Sequence, residues 1–508
     1  MSPIYLTTPI YYVNDKPHIG HAYTSLATDV LARWHRLSGR EVYFLTGTDE
    51  HGQKVEKAAQ DAGEEPQAFT DRVSQAFRDL TVTMGFSNDG FIRTTEKRHY
   101  EACQALWNRL KERGQIYLGA YEGWYAIRDE AFYGPDELTE RGGVKYAPSG
   151  APVEWVREPS YFFKLSEWAD KILEFYETHP DFIAPVSRRN ELINFVKSGL
   201  SDLSISRTSF RWGVPVPGDE AHVMYVWLDA LTNYITALGY PDEKAELWHF
   251  WPADVQFVGK DIARFHALYW PAFLMAADLP PPRRVFAHGW WTNEGQKISK
   301  SLGNVIDPLE LVEEFGLDPV RYFLLREVPF GQDGDFSRSS LVNRLNGELA
   351  DVLGNLANRT LSLIQRNCEG KLPAAAPAAE ADAPLITPLD SLAETVGKLL
   401  ESQQYHLALE EIFAQVRGAN GYITVQAPWA LKKTDPVRMT EVLRHLHTAL
   451  RAYATVLQPF MPGSMAALLD QLGVPNDLRD LTALNIALPE GIALPAPSPL
   501  FRKVENAG

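Results

Sequence analysis

The first hundred residues alternate between short apolar runs and amphipathic stretches. Residues 4–8 are apolar and β-branched, a composition that suits a buried strand. From Gly20 onward, Tyr23, Leu26, Val30, Trp34 and Leu37 recur at helical spacing down one face, and Ser38-Gly39 supplies the stop. A strand over 42–45, a polar loop over 47–52 and a helix over 53–62 come next. This alternation predicts a parallel sheet, with ligands gathered at the carboxyl ends of its strands.

The rhythm breaks between 113 and 222. Gly142-Gly143, several prolines and aromatic runs such as Tyr161-Phe162-Phe163 predict an inserted, β-containing domain. Alternation resumes at Met224 with strand, helix, strand (255–258), helix (262–276) and strand (284–288). From about 340 the pattern is helical, and the Pro/Ala-rich stretch 372–388 reads as a surface connection. The expected units are a Rossmann-like α/β domain in two halves (1–112 and 223–289), the insertion (113–222), a linking domain (290–343) and an all-α bundle (344–508).

Composition narrows the function. A chain of 508 residues fits about three domains. The net charge of −16 excludes a basic nucleic-acid coat, so any polyanion must be met through local patches. Segment 344–475, with eleven Lys/Arg against thirteen Asp/Glu, is the least repulsive region. Two distant cysteines, Cys103 and Cys368, exclude a disulfide framework and a thiolate zinc cluster. The longest apolar run, 267–277, is interrupted by Pro271 and falls short of the ~20 residues of a membrane span. Met1-Ser2-Pro3 leads into a strand without a basic leader, so a soluble cytoplasmic protein is expected, with no membrane partner.

Two motifs carry phosphate chemistry. Pro17-His18-Ile19-Gly20-His21 lies at a strand-to-helix turn, where free N–H groups and the helix dipole attract an anion. Three-residue spacing lets His18 and His21 face one ligand, and Gly20 lets that ligand stack on the backbone. Lys297-Ile298-Ser299-Lys300-Ser301, flanked by Gly295 and Gly303, presents two lysines that can both reach a triphosphate. Each motif alone is weak. As first-strand and last-strand elements of one α/β unit they reinforce each other.

The pair resembles the His-Ile-Gly-His and Lys-Met-Ser-Lys-Ser signatures of class I aminoacyl-tRNA synthetases, with Ile298 in place of the usual Met. That resemblance implies catalysis by His18, His21, Lys297 and Lys300, which stabilise charge as an amino-acid carboxylate attacks the α-phosphorus of ATP. It also implies ATP as a Mg²⁺ complex, held with help from Gly20 and Asp261.

Thr8-Pro9-Ile10-Tyr11-Tyr12-Val13-Asn14, Gly47-Thr48-Asp49-Glu50-His51-Gly52, Tyr225-Val226-Trp227-Leu228-Asp229-Ala230 and the run from Gly259 to Trp270 are similar to segments of the methionyl-tRNA synthetase family. By that likeness Ile10, Tyr12, Trp227, Ala230 and Tyr234 enclose the methionine side chain, together with Ile262, Phe265, His266 and Trp270. Asp49 would hold the ammonium group and Asp261 the ATP ribose. A thioether has no strong hydrogen-bond handle, so shape and sulfur–aromatic contacts must discriminate it.

In the helical region, Asn355 and Arg359 lie four apart on one face, and Asn420-Gly421-Tyr422-Ile423 is followed by Gln426-Ala427-Pro428-Trp429. These resemble the family's anticodon reader, which implies tRNA(Met) as partner, with Asn355 and Arg359 on base edges and Trp429 stacked. Many relatives carry a zinc knuckle in the insertion. Here Ala126 and Asp129 stand where its Cys-x-x-Cys would be, so no zinc is expected. A monomer is expected as well.

The rivals fit less. A cysteine-specific synthetase needs zinc ligands that are missing here, and the aliphatic enzymes carry larger editing insertions. A nucleotidylyltransferase leaves the helical third unexplained. A non-catalytic tRNA-binding module leaves the intact histidine and lysine motifs without a purpose.

Overall fold

A computed structural model of the chain describes residues 2–13, 16–129, 131–298 and 303–505. Its centre is a six-stranded, wholly parallel sheet. Strand β1 (Ile4–Tyr12) lies in the middle, with β2 (Val42–Asp49) and then β3 (Gly90–Arg93) on one side. On the other side come Val255–Gly259, Val285–His288 and the short strand Ile183–Ala184. Such a sheet has a switch point beside its first strand, where a crevice opens at the carboxyl ends.

Both early strands run further than their apolar cores suggest. β1 continues to Tyr12 and β2 to Asp49, with Tyr12 paired to Asp49. The β1–β2 register shifts between Thr7 and Ile10. Pro9, which has no N–H for the ladder, lies inside that shift and re-aims Ile10 and Tyr12. At Gly47 a Cβ would fall 2.0 Å from the carbonyl oxygen of Ile92, so close approach of β3 demands glycine there.

Helix α1 (Ile19–Leu37) follows the predicted periodicity and ends at Ser38. The expected helix over 262–276 is broken instead. It comprises a 3₁₀ turn (Lys260–Ile262), a π-helical turn (Phe265–Tyr269) and an α-helix (Trp270–Ala276). Pro271 cannot donate to the ladder, and the wide turn before it accommodates that loss.

The insertion is built on a four-stranded sheet whose longest strands, Ile116–Ala126 and Glu154–Phe163, pair antiparallel. Residues 113–222 do not all stay outside the central sheet. Ile183–Ala184 pairs with Val285–Phe286 and extends it.

The remaining chain is largely helical, with long helices at Tyr405–Gln426 and Pro436–Leu457. One apolar core runs from Leu26, Val30 and Trp34 of α1 into Leu409, Phe413 and Leu446 of these helices. Tyr405 Oη donates to the carbonyl of Ala27 (2.7 Å), so the bundle is docked directly on α1. The stretch 372–388 runs largely exposed, as a surface connection should, yet it is pinned at three buried points. Leu372, Asp382 and Leu385 are buried, and Asp382 accepts hydrogen bonds from Tyr422 and Arg438. Low complexity hid this because one buried carboxylate and two leucines suffice to dock it. No described helix is long and apolar enough to cross a membrane.

Candidate active site

A cavity of about 400 Å³ opens at the carboxyl ends of β1, β2, Val255–Gly259 and Val285–His288. His18, Gly20 and His21 form one wall, at the start of α1. His18 caps the helix: its Nδ1 accepts from Gly20 N–H (3.0 Å), while His18 N–H donates to His21 Nδ1 (3.0 Å). Each neutral imidazole therefore carries its proton on Nε2 and keeps an N–H donor for a ligand. The rings lie 3.9 Å apart between centroids. Burial and the adjacent His18 hold His21 well below the ordinary histidine range. Burial lowers His18 too, although Asp261 works against it.

Asp49 is buried in the wall at the end of β2, and Asp261 lies at the open rim, where its carboxylate accepts from Trp290 Nε1 (3.2 Å). The apolar wall comes from Ile10, Trp227, Ala230, Tyr234 and Ile262, and Tyr12 and His266 also reach the cavity. Three of these lie on the helix Val226–Thr236, whose three- and four-residue spacing points Trp227, Ala230 and Tyr234 one way. His266 Nδ1–H donates to the Ile262 carbonyl (3.0 Å), which leaves Nε2 to accept from Tyr234 Oη (2.6 Å). Burial pulls His266 down to about 4, so it stays neutral near pH 7.

Phe265 and Trp270 stand one layer behind. Phe265 stacks on Trp227 with ring centroids 3.4 Å apart and planes 13° from parallel. Trp270 is fully buried, its ring 6.2 Å from that of Tyr234. The cavity also has walls that the motifs did not point to, among them Thr24, Lys54, Arg128, Asp129, His288 and Trp290. His288 could have been found from its place at the end of the last long strand, where Thr24 Oγ1 meets its Nε2 at 2.7 Å.

The second motif lies near the first. Ile19 N–H donates to the Ile306 carbonyl (3.1 Å), which ties the chain just after the lysines to the start of α1. Lys297 is exposed on the short strand Gln296–Lys297, outside the cavity wall, and Ile298 packs into the main core. Lys300 lies outside the described residues.

Residues 4–361 match the family model "tRNA synthetases class I (M)", and residues 372–508 match the "Anticodon binding domain of methionyl tRNA ligase". The chain belongs to the methionine–tRNA ligase family. A member from Rickettsia bellii is 60% identical over 94% of this chain and 93% of its own length. One from Brucella suis biovar 1 is 56% identical over 99% and 98%. The solved Mycobacterium tuberculosis methionyl-tRNA synthetase in complex with methionyl-adenylate superposes with a TM-score of 0.97 at 49% identity, covering 99% of this chain and all of that one. The apo form of the same enzyme gives 0.91 at 46% identity. As a methionine–tRNA ligase the chain is an enzyme, an aminoacyl-tRNA ligase.

Within the ligase's helical region, Asn355 is exposed at the start of the helix Asn355–Asn367, just after a π-helical stretch, Leu345–Gly354. Arg359 lies one turn on, its guanidinium 5.5 Å from the ring centroid of Trp429. Ala427 takes a left-handed conformation (φ 45°) and Pro428 opens the next helix, which leaves the Trp429 side chain 46% exposed. Asn420 bonds to the Val352 and Val416 carbonyls instead and belongs to the scaffold.

The insertion's Ala126 has no side-chain atom that could ligate a metal. It is buried in a small apolar core with Ala147, Ala151 and Val153, while Asp129 accepts from Tyr133 Oη and Ser149 Oγ. That donor set does not fit zinc.

Proposed function

We propose that this cavity holds methionine and ATP for a two-step reaction. The methionine carboxylate attacks the α-phosphorus, pyrophosphate departs, and a terminal ribose hydroxyl of tRNA(Met) then displaces AMP from methionyl-adenylate. Asp49 meets the ammonium group, and Ile10, Tyr12, Trp227, Ala230, Tyr234, Ile262 and His266 enclose the side chain, with Phe265 and Trp270 holding that wall in place. Gly20 admits the nucleotide and Asp261 takes the ribose. His18 and His21 donate Nε2–H to charge developing at the α-phosphate, and Lys297 and Lys300 take up charge on the leaving pyrophosphate. ATP enters as its Mg²⁺ complex, and neutral donors fixed in place before the reaction lose little in reorganisation.

The observation that carries this reading is convergence. His18, His21, Asp49, Asp261 and the side chains of the helix Val226–Thr236 all meet at one cavity, although sequence separates them by up to 243 positions between His18 and Asp261. Exposed Asn355 and Trp429, with half-buried Arg359 beside them, offer base-edge and stacking contacts to the anticodon. No zinc is assigned to the insertion, since Ala126 and Asp129 do not form a site for it. We read it as a monomer, working in the cytoplasm where charged tRNA is used. The test is methionine-dependent exchange of labelled pyrophosphate into ATP. Exchange with methionine and none with the other amino acids is expected, and no exchange with methionine would sink the reading.

A further inference from the structure

The helix Val226–Thr236 has a second face. Asp229 points away from the cavity and is 1% exposed. Its Oδ2 lies 2.6 Å from His51 Nδ1 and its Oδ1 lies 2.8 Å from His99 Nε2. His51 Nε2 in turn is 2.9 Å from Tyr100 Oη, a geometry in which the phenol donates and the ring keeps its proton on Nδ1 for Asp229. Thr236 Oγ1, which donates to the Thr232 carbonyl, lies 3.0 Å from His99 Nδ1 and holds that ring in place. Burial pushes the Asp229 carboxyl up, but His51 and His99 more than offset this and hold it below its usual range.

His51 sits two residues beyond Asp49 on the loop that continues β2. Its carbonyl accepts from Tyr12 Oη (3.0 Å), a cavity residue, and the neighbouring Glu50 carbonyl accepts from Trp212 Nε1 (2.5 Å). The carboxylate therefore joins two elements that bind opposite ends of the substrate. One is the end of β2, which bears the ammonium-binding Asp49, with the loop that continues it. The other is the helix bearing Trp227, Ala230 and Tyr234 at the thioether end.

We propose that Asp229 is a positioning residue for amino-acid selection: through His51 it fixes the distance between Asp49 and the side-chain pocket, and so the length of side chain accepted. This rests on the reading of the methionine site given above. A buried anion accepting from two imidazoles is a stiff link, because breaking either contact leaves a charge in an apolar setting. A softened link lets the pocket shift and blurs discrimination by length, where one methylene is ordinarily worth about 10- to 200-fold.

The test compares methionine with ethionine, which is one methylene longer, in pyrophosphate exchange by the full chain. Asp229→Asn keeps the shape and removes the charge. The preference for methionine over ethionine in kcat/KM is expected to fall by about tenfold. The rise in KM for methionine should exceed that for ATP. An unchanged ratio, with both substrates slowed equally, overturns the proposal, since a merely structural defect does that. Should Asp229→Asn fail to fold, Tyr100→Phe carries the test, because it removes only the hydroxyl that orients His51. A two- to threefold fall in the ratio, on the order of one hydrogen bond, supports the proposal and an unchanged ratio overturns it. A wild-type chain that shows no methionine-dependent exchange removes the site reading and this proposal together. A wild-type chain that exchanges while the variants keep its ratio removes this proposal alone.

Discussion

The backbone N–H of His18 donates to Nδ1 of His21 across 3.0 Å, so one imidazole of the signature is oriented by the backbone of the other. Nε2–H of His21 is thereby aimed at the cavity without a mobile side chain having to be ordered during the reaction. His21→Ala removes that donor and the cap contact at once. Loss of one such donor is expected to lower kcat for pyrophosphate exchange by about 10²–10³-fold. A kcat within a few-fold of wild type would show that His21 has no part in the chemistry.

Gly20→Ala should move stability and rate in opposite directions. Alanine in a helix is worth about 0.5–1 kcal/mol over glycine. Here, however, the added Cβ would lie 2.8 Å from Cε1 of His18, so the ring must swing off its cap position. We expect a melting temperature no lower than wild type and a clearly reduced kcat. Equal loss of both would mean that the glycine serves folding instead.

Trp429 stands 46% exposed beside Arg359, poised to stack and yet making little contact with the core. Base stacking on an aromatic ring is worth about 1–3 kcal/mol, so Trp429→Ala should weaken tRNA charging by roughly 5- to 150-fold. Methionine-dependent exchange, which needs no tRNA, should hold near wild type. Charging and exchange assays on one preparation separate the two, and parallel loss contradicts an anticodon role.

Helical periodicity located α1, and short continuous apolar runs located the central strands, which are buried along almost their whole length. Neither signal found the strand Ile183–Ala184, whose two residues are too few to carry a pattern. The π-helical turn at Phe265–Tyr269 was invisible for a different reason, since local apolar spacing does not report which carbonyl each N–H reaches. Motif spacing pointed to His18 and His21, and the family resemblance to Asp49 and Asp261; all four line the cavity. Arg128 and Asp129 escaped both, because they approach the cavity from a separate sheet and only the tertiary fold brings them there. Asp229 lies inside the Tyr225–Ala230 segment, but its two histidine partners are 178 and 130 positions away, beyond the reach of local spacing.

Arg321 is fully buried where three parts of the chain meet. It donates to Asp29 of α1 (2.7 Å) and to the carbonyls of Met84, Pro459 and Phe460 (3.0, 2.8 and 3.0 Å). Arg321→Leu leaves the Asp29 carboxylate to Arg33 and Ser87 and strands three carbonyls. Breaking such a pair from one side costs about 3–5 kcal/mol. The urea midpoint should drop accordingly, and Arg321→Lys, which keeps the charge without the planar fork, should fall in between. A leucine variant as stable as wild type would contradict the assignment.

Acid sensitivity follows from three histidines held neutral by burial. His35, His266 and His447 are each pulled from an ordinary value of 6.5 to about 4. The unfolded chain protonates them as pH falls through 6.5, whereas the fold resists until about 4, so acid draws the equilibrium toward unfolding. Their effect is nil above pH 7, grows between 6.5 and 4, and adds nothing further below. At about 1.4 kcal/mol per pH unit, each costs roughly 2 kcal/mol by pH 5. His447 lies far from the cavity wall and donates Nε2–H to the Leu472 carbonyl (2.8 Å), a bond that a glutamine amide can replace. His447→Gln should therefore lose less melting temperature than wild type between pH 7 and pH 5. The carboxylates titrate alike in both proteins and cancel in the comparison. Parallel curves for the two would show that His447 is not held neutral by the fold.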